Sequence, residues 1–71
     1  MTSFKVGDIV RVKDDAYSEK EVSRIHNGRI CQVIEISGGD VVVRSIDKLE
    51  PVLERTYHSP YVLEIQKGIA L

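Results

Sequence analysis

Residues 28–45 read GRICQVIEISGGDVVVRS and decide the fold of this chain. Two runs rich in β-branched residues, 29–36 and 41–46, flank the turn at residues 37–40 (SGGD). β-branched side chains favour strands, and glycine supplies the positive φ angles that a tight hairpin turn requires. The stretch therefore predicts two antiparallel strands joined as a hairpin.

Both hairpin strands carry apolar residues on both of their faces. In the first strand, Cys31 and Val33 belong to one face, and the opposite face carries Ile30, Ile34 and Ile36. An antiparallel sheet with one face in water normally alternates apolar and polar residues. We therefore expect the hairpin either to bend around a small barrel or to pack against another molecule.

Three further strands are predicted outside the hairpin. Residues 8–13 (DIVRVK) alternate, which points Val10 and Val12 into the core. Residues 52–57 and 61–66 should form the fourth and fifth strands. Five short strands predict a mainly β fold, a single small barrel whose closure removes exposed strand edges.

The long polar loop between the first two strands contains one helical signal. Ser18 and Glu21 fit the S-x-x-E capping box, and Tyr17 and Val22 occupy the two positions of a hydrophobic staple. This combination predicts one to two helical turns near residues 19–25.

The composition is that of an ordinary globular domain, with 42% hydrophobic and 30% charged residues among 71. This length allows one domain, with a core from about residue 5 to residue 66. The net charge is −1, whereas chains that grip phosphate backbones usually carry a positive excess. No apolar run approaches the roughly 20 residues that span a bilayer, and the N-terminus lacks the apolar core of a signal peptide. We therefore expect a cytoplasmic protein without membrane contact.

The sequence does not favour an enzyme. Cys31, the only cysteine, lies within an apolar run, where a free thiol packs as a small hydrophobe. The spacing of His26 and His58 supports neither a nucleophile–base pair with Cys31 nor a set of metal ligands. Gly38 and Gly39 join two strands and do not open a helix, so they predict a turn rather than a phosphate-binding loop. We expect no catalytic residues, no cofactor and no metal.

The predicted turn and core residues of the chain together form one pattern: Gly7, Asp8, Val10, Val12, Gly28, Val33, Val41 and Val43. This set resembles the KOW motif found in SH3-like barrels of transcription elongation factors and certain ribosomal proteins. Residues 59–65 (SPYVLEI) are similar to the closing turn and final strand of SH3-like domains. Cys31 stands where KOW sequences usually have glycine, and the first loop is longer than is usual in the family.

Three features favour one functional hypothesis: the near-neutral charge, the two apolar strand faces and the largely apolar end of the sequence, residues 67–71. It is a non-enzymatic module that binds another protein, as an accessory subunit or modulator of a larger complex. Its candidate contact residues are Tyr17, Val22, Arg24, Ile25 and Tyr61.

The resemblance implies an alternative of another class, a KOW-type module that binds RNA or DNA within a transcription or translation complex. That function requires basic residues to converge on one face. The candidates on or beside predicted strands are Arg11, Lys13, Arg29 and Arg44. A homo-oligomer built by pairing of barrel edges or faces is a third hypothesis.

Overall fold

The computed structural model describes residues 3–66, and this part of the chain is mainly β. One antiparallel sheet runs in the order β4-β3-β2-β1-β5. Its strands are β1 (Ile9–Val12), β2 (Ile30–Ser37), β3 (Asp40–Ser45), β4 (Thr56–His58) and β5 (Leu63–Ile65). The helical segments of the described residues are two short 3-10 helices, Val22–His26 and Pro60–Val62. Neither is long and apolar enough to cross a membrane.

The predicted hairpin is confirmed, with β2 and β3 joined at Gly38 and Gly39. The φ angles of these two glycines are 56° and 90°. A two-residue turn with positive φ at both positions matches the right-handed twist of the flanking strands. The hairpin stretch therefore specifies its own turn.

The core lies on one face of the sheet and consists largely of valine. Val10 lies opposite Cys31, and Val33 lies opposite Val43, so each pair points to the same face. The predicted inward orientation of Val10 and Val12 is confirmed, since both are fully buried. The buried core cluster comprises Val10, Val12, Cys31, Val33, Val41, Val43 and Leu63.

The predicted faces of β2 are wrong beyond Ile34. The register between β2 and β3 shifts there, because Val33 opposes Val43 whereas Glu35 opposes Val42. An extra residue in one strand forms a bulge, which bends the strand and reverses the alternation that follows. Ile36 therefore lies opposite the core residue Val41, and it does not share a face with Ile34.

One of the apolar side chains on the outer face of the hairpin is buried by other side chains of this chain. Val42 is fully buried although it belongs to the face opposite the core. Glu35 and Tyr57 flank it on the neighbouring strands. Arg55 bridges these two side chains, with its Nη2 3.1 Å from Glu35 Oε2 and 2.9 Å from Tyr57 Oη. Val42 thus needs no external partner to leave water.

The predicted closure into a barrel is not found in the described residues. No ladder joins β4 to β5, so both strands are edges of an open sheet. The fourth strand is also shorter than predicted, because Leu53 is held outside the sheet ladder. Its amide donates to Ser45 Oγ at 3.0 Å, and its carbonyl accepts from the Ser45 amide at 2.7 Å. Each edge strand is only three residues long, which limits the unpaired backbone it presents.

The predicted helical turn is present, but it is a 3-10 helix that begins at Val22. Half of the capping box forms, since Glu21 Oε2 accepts from the Ser18 amide at 2.8 Å. Glu21 itself occupies the N-cap position, and no side chain caps the helix. Val22 is 86% exposed, so it does not form a staple with Tyr17. The apolar residues 67–71 lie outside the described part of the chain.

Candidate functional site

The β1–β2 loop, residues 13–29, borders a cleft of about 590 Å³. This volume is in the range of sites that bind small molecules or short segments, about 300–1,000 Å³. The cleft carries three carboxylates, Asp14, Asp15 and Glu19, and its other lining residues include Tyr17 and Ile25. We call this feature the loop cleft.

The charges of the loop cleft are only partly balanced within the described residues. Asp14 forms an ion pair with Arg11. Arg24 also lines the cleft, and its Nη1 donates to the backbone carbonyl of Glu19 at 2.7 Å. Between residues 3 and 66, neither Asp15 nor the Glu19 carboxylate forms an ion pair. The cleft therefore presents two free carboxylates next to apolar surface.

Two hydrogen bonds from one side chain brace the loop across the cleft. Asn27 Oδ1 accepts from the Tyr17 amide at 3.0 Å, and Asn27 Nδ2 donates to the Tyr17 carbonyl at 2.8 Å. The adjacent Gly28 has φ 76°, and its amide donates to the Val12 carbonyl at 2.8 Å. A Cβ atom at Gly28 would also lie 3.0 Å from Asp14 Oδ1. The positive φ favours glycine at this position, and a larger residue would also displace the exposed Asp14 carboxylate.

Three rings connect the same loop to the edge strand β4, and we call them the aromatic cluster: Tyr17, His26 and His58. The Tyr17 hydroxyl and His58 Nδ1 share a hydrogen bond of 2.6 Å. His58 Nε2 lies 3.0 Å from Thr56 Oγ1, and the His58 side chain faces the core side beside Val41. The rings of His26 and His58 meet edge to face with centroids 4.9 Å apart.

Burial keeps the aromatic cluster neutral near pH 7. His58 is only 3% exposed, and burial, followed by the nearby His26, lowers its pKa to about 4. Burial and the positive charge of Arg29 lower the pKa of His26. Burial and the charge of Glu21 raise the pKa of Tyr17. His26 Nδ1 is buried without a hydrogen-bond partner among the described residues.

A second buried polar group, which we call the guanidinium clamp, holds the segment after β3. Arg29 and Asp47 form a two-point ion pair, with Nε to Oδ2 at 2.8 Å and Nη2 to Oδ1 at 2.9 Å. Arg29 also donates to the carbonyls of Leu49 and Pro51, each at 2.9 Å. One side chain therefore fixes the path of residues 47–51.

Asp47 completes the guanidinium clamp as an acceptor. Its carboxylate accepts from the amides of Ile30 at 3.1 Å and Leu49 at 3.2 Å. The hydrogen bonds from Arg29, with smaller contributions from these two amides, lower the pKa of Asp47 to about 2. The clamp is therefore charged at every pH at which most proteins remain folded.

The loop cleft brings together three of the five predicted partner-binding residues. Tyr17, Arg24 and Ile25 all line it. Val22 and Tyr61 are more than four-fifths exposed, but they lie outside the cleft lining. Tyr17 is not a free contact residue, because its hydroxyl is bonded to His58.

The predicted nucleic-acid-binding residues do not converge on one face. Arg29 is buried in the clamp, and Arg11 is paired with Asp14. Arg11 and Arg44 share the outer face of the sheet, whereas Arg29 precedes the outward-facing Ile30 and so points to the other side. Lys13 and Arg44 are exposed.

Cys31 is a core residue in this structure. It is fully buried between β1 and β3, and burial raises the pKa of its thiol to about 11. The thiolate is the reactive form of cysteine. The buried position and the raised pKa both agree with the packing role predicted from the sequence.

Sequence reasoning missed the aromatic cluster and the guanidinium clamp. Tyr17 and His58 are 41 residues apart, and Arg29 and Asp47 are 18 apart. No local pattern links such pairs, because each is created by the strand pairing.

Comparisons with protein-family models, with curated proteins and with solved structures give no match for this chain. Among residues 3–66, no group of three or more His, Cys, Asp or Glu side chains is arranged to hold a metal ion.

Proposed function

We propose that this chain is a small non-enzymatic module that binds another protein through the loop cleft, as an accessory subunit or modulator of a larger complex. One observation carries the proposal: a cleft of about 590 Å³ in which three carboxylates lie beside Ile25 and the Tyr17 ring. Concave surfaces that combine converging polar groups with apolar contacts are typical binding sites.

The chemistry of the cleft specifies a segment that is both basic and apolar. Asp15 and Glu19 have no ion-pair partner in the described chain, so they are available to a Lys or Arg of the partner. Ile25 is 44% exposed and offers an apolar contact beside them. Exposed charges chiefly set orientation and association rate, and the apolar contact contributes most of the affinity.

Tyr61 extends this surface beyond the cleft. The Lys13 amide donates to the Val62 carbonyl at 2.9 Å, which holds the second 3-10 helix beside the start of the β1–β2 loop. Ser59 Oγ caps that helix by accepting from the Tyr61 amide at 3.3 Å. Tyr61 is therefore an exposed ring on a fixed backbone, and tyrosine is enriched among residues that dominate binding energy.

We also infer that the sheet is an SH3-like fold with a KOW-type motif. The supporting features are the pairing of β1 with β5 and a 3-10 helix immediately before the last strand. The proposed binding surface uses the second of these features.

Nucleic-acid binding by a KOW-type module is the second candidate. Lys13 and Arg44 support it, because both are exposed and neither forms an ion pair within residues 3–66. The burial of Arg29 and the pairing of Arg11 weaken it, since two of the four predicted phosphate contacts are already engaged.

A peptide selection tests the protein-binding proposal. Random 12-residue peptides displayed on phage are selected on the immobilised protein, and the enriched sequences are then titrated into the ¹⁵N-labelled chain. We expect peptides that combine Lys or Arg with large apolar residues, and amide shifts concentrated in residues 13–29 and at Tyr61. The matched variants are Asp15→Asn with Glu19→Gln, and Asp40→Asn with Glu54→Gln as a control with the same charge change.

The first pair should weaken binding about tenfold, because two exposed charge contacts contribute roughly 0.2–1 kcal/mol each, and the control pair should not change it. Equal binding by both pairs, or shifts outside the β1–β2 loop and Tyr61, would contradict the proposal. A parallel titration with single-stranded RNA and duplex DNA at low salt tests the second candidate. Shifts centred on Lys13 and Arg44 that vanish with salt would favour that candidate instead.

A further inference from the structure

The aromatic cluster is the contact that fastens the middle of the β1–β2 loop to the edge of the sheet. Tyr17 and His26 belong to the loop, and His58 ends the edge strand β4. The short bond between the Tyr17 hydroxyl and His58 Nδ1 joins positions that are 41 residues apart. The rings therefore hold the middle of the loop over the core, at a point distant from the contacts of its two ends.

Within residues 3–66, no anionic group acts on either imidazole of the cluster to stabilise its protonated form. From β3, the residue opposite His58 is Val41, and from β4 the neighbouring polar group is the Thr56 hydroxyl. The charged groups that act on the cluster from the loop are Arg29, which opposes a charge on His26, and Glu21, which acts on Tyr17. Among the described residues, no carboxylate contributes to the pKa of either histidine.

We propose that the aromatic cluster is an acid-sensitive latch: protonation of its buried histidines releases the β1–β2 loop from β4. In the neutral state, one nitrogen of each imidazole is an acceptor and the other a donor. His58 satisfies both of its nitrogens, one with the Tyr17 hydroxyl and one with the Thr56 hydroxyl. The cluster itself then holds the loop without a charged group.

A proton taken from solvent changes this arrangement at two points. Both nitrogens of a charged His58 are donors, so Nδ1 must donate to the Tyr17 oxygen and the Tyr17 hydroxyl proton loses Nδ1 as an acceptor. The charge also lies against His26, whose Nδ1 is buried without a partner and therefore has no acceptor for a second proton. Opening of the loop places both imidazoles in water, where the charged forms are hydrated.

The latch acts on the loop cleft because Tyr17 belongs to both features and Asn27 connects them. Tyr17 lines the cleft and bonds to His58, and Asn27 lines the cleft and braces Tyr17. Release of the loop would therefore disassemble the cleft and weaken binding in acid. This consequence rests on the proposed function, whereas the latch itself does not.

The size of the effect follows from the difference in proton affinity between the closed and open states. His58 has a pKa of about 4 when the loop is closed, against an ordinary value of 6.5. Linkage then makes the open state about 20-fold more populated at pH 5 than at pH 7, before His26 adds its own contribution.

Amide exchange measured by solvent-exchange NMR tests the latch on the full chain. The loop reporters are the amides of Tyr17, bonded to Asn27 Oδ1, and Asn27, bonded to the Arg24 carbonyl. The sheet reporter is the Val33 amide, bonded to the Asp8 carbonyl. After correction for intrinsic exchange, we expect loop protection to fall about 20-fold from pH 7 to pH 5 and to stay far below that of Val33 at both pH values, because the loop opens without unfolding of the sheet.

His58→Gln keeps an acceptor for Tyr17 but cannot be protonated, so it should remove most of this pH dependence. Equal absolute protection of the loop amides and of Val33 would mean that both exchange only by global unfolding, and unchanged loop protection would mean that the latch does not open; either result overturns the proposal. If the variant does not fold, the imidazole ¹³C signals of the wild type decide. A His58 midpoint near 6.5 overturns the latch, and a much lower midpoint shared with the loop amides supports it. Peptide binding at pH 7 is measured separately, so failure of the latch is distinguishable from failure of the proposed function.

Discussion

The β1–β2 loop and the segment that follows β3 are each held to the sheet by one buried polar group of side chains, but only one of the two is charged. The aromatic cluster fastens its loop with neutral rings and a 2.6 Å hydrogen bond between Tyr17 and His58. The guanidinium clamp fastens its segment with the ion pair of Arg29 and Asp47 and with two carbonyl contacts.

The difference shows how similar positions beside one sheet acquire different responses to pH. Each side of the Arg29 guanidinium that faces residues 47–51 donates to an acceptor. The Asp47 carboxylate also accepts hydrogen bonds from two backbone amides. A buried pair that is this well satisfied keeps its charges. Among residues 3–66, no carboxylate acts on the histidines of the aromatic cluster, so His58 is protonated at a higher pH than Asp47.

Removal of one half of the clamp should have the largest effect. In Arg29→Met, the Asp47 carboxylate stays buried without its partner, and the carbonyls of Leu49 and Pro51 lose their donor. We expect the free energy of unfolding to fall by about 3–5 kcal/mol, measured by urea denaturation. The double variant Arg29→Met with Asp47→Leu should recover much of this loss, because it removes the unpaired charge. A loss below about 1 kcal/mol in the single variant would show that the ion pair contributes little.

Mild acid should have the next largest effect, and it should act through the aromatic cluster. His58 binds fewer protons in the folded chain than in the unfolded chain, so stability is complete above pH 6.5 and falls as the pH drops toward about 4. The free energy of unfolding should decrease by about 2–3 kcal/mol over this interval. Urea denaturation at several pH values measures the decrease, and His58→Gln is the control that should flatten the curve. An equally steep curve in that variant would assign the acid sensitivity to other groups.

Stronger acid should then weaken the clamp. The pKa of Asp47 is depressed to about 2, so its contribution is complete above its ordinary value of 3.8 and is lost as the pH falls toward 2. We expect a further loss of about 1–2 kcal/mol, reduced by the water that reaches part of the carboxylate. Stability of Asp47→Asn measured between pH 4 and pH 2 isolates this contribution, because the variant should lack the second decline. The two declines should therefore occur in separate pH ranges.

Features that depend on neighbouring residues could be predicted from the sequence. The hairpin at Gly38 and Gly39 and the inward valines of β1 follow from turn chemistry and alternation, and both are confirmed. The 3-10 helix was predicted as a helical turn, but its type and first residue were not. Of the two hydrogen bonds of the predicted capping box, only the one from the Ser18 amide to the Glu21 carboxylate forms.

Features that depend on contacts between distant strands could not be predicted. The bulge at Ile34 reverses the faces of β2 because of how β3 pairs with it, and no residue of the stretch marks that position. For the same reason Arg29 was predicted as an outward strand residue, although it starts just before β2 and is buried. Of the candidate site, the sequence identified Tyr17, Arg24 and Ile25, but not the cleft that brings them together.

The smallest effect is expected from the removal of one neutral hydrogen bond in the aromatic cluster. Tyr17→Phe keeps the ring and its contacts with His26 and His58 but leaves His58 Nδ1 without the hydroxyl. Because a neutral bond contributes about 0.5–1.5 kcal/mol net, the free energy of unfolding should fall by about 1 kcal/mol, well below the loss in Arg29→Met. Tyr57→Phe, which removes an exposed hydroxyl bonded to Arg55, is the matched control and should change stability less. If Tyr17→Phe were as damaging as Arg29→Met, the neutral cluster would stabilise its loop as strongly as the charged clamp stabilises its segment, and the contrast between them would lie in pH response alone.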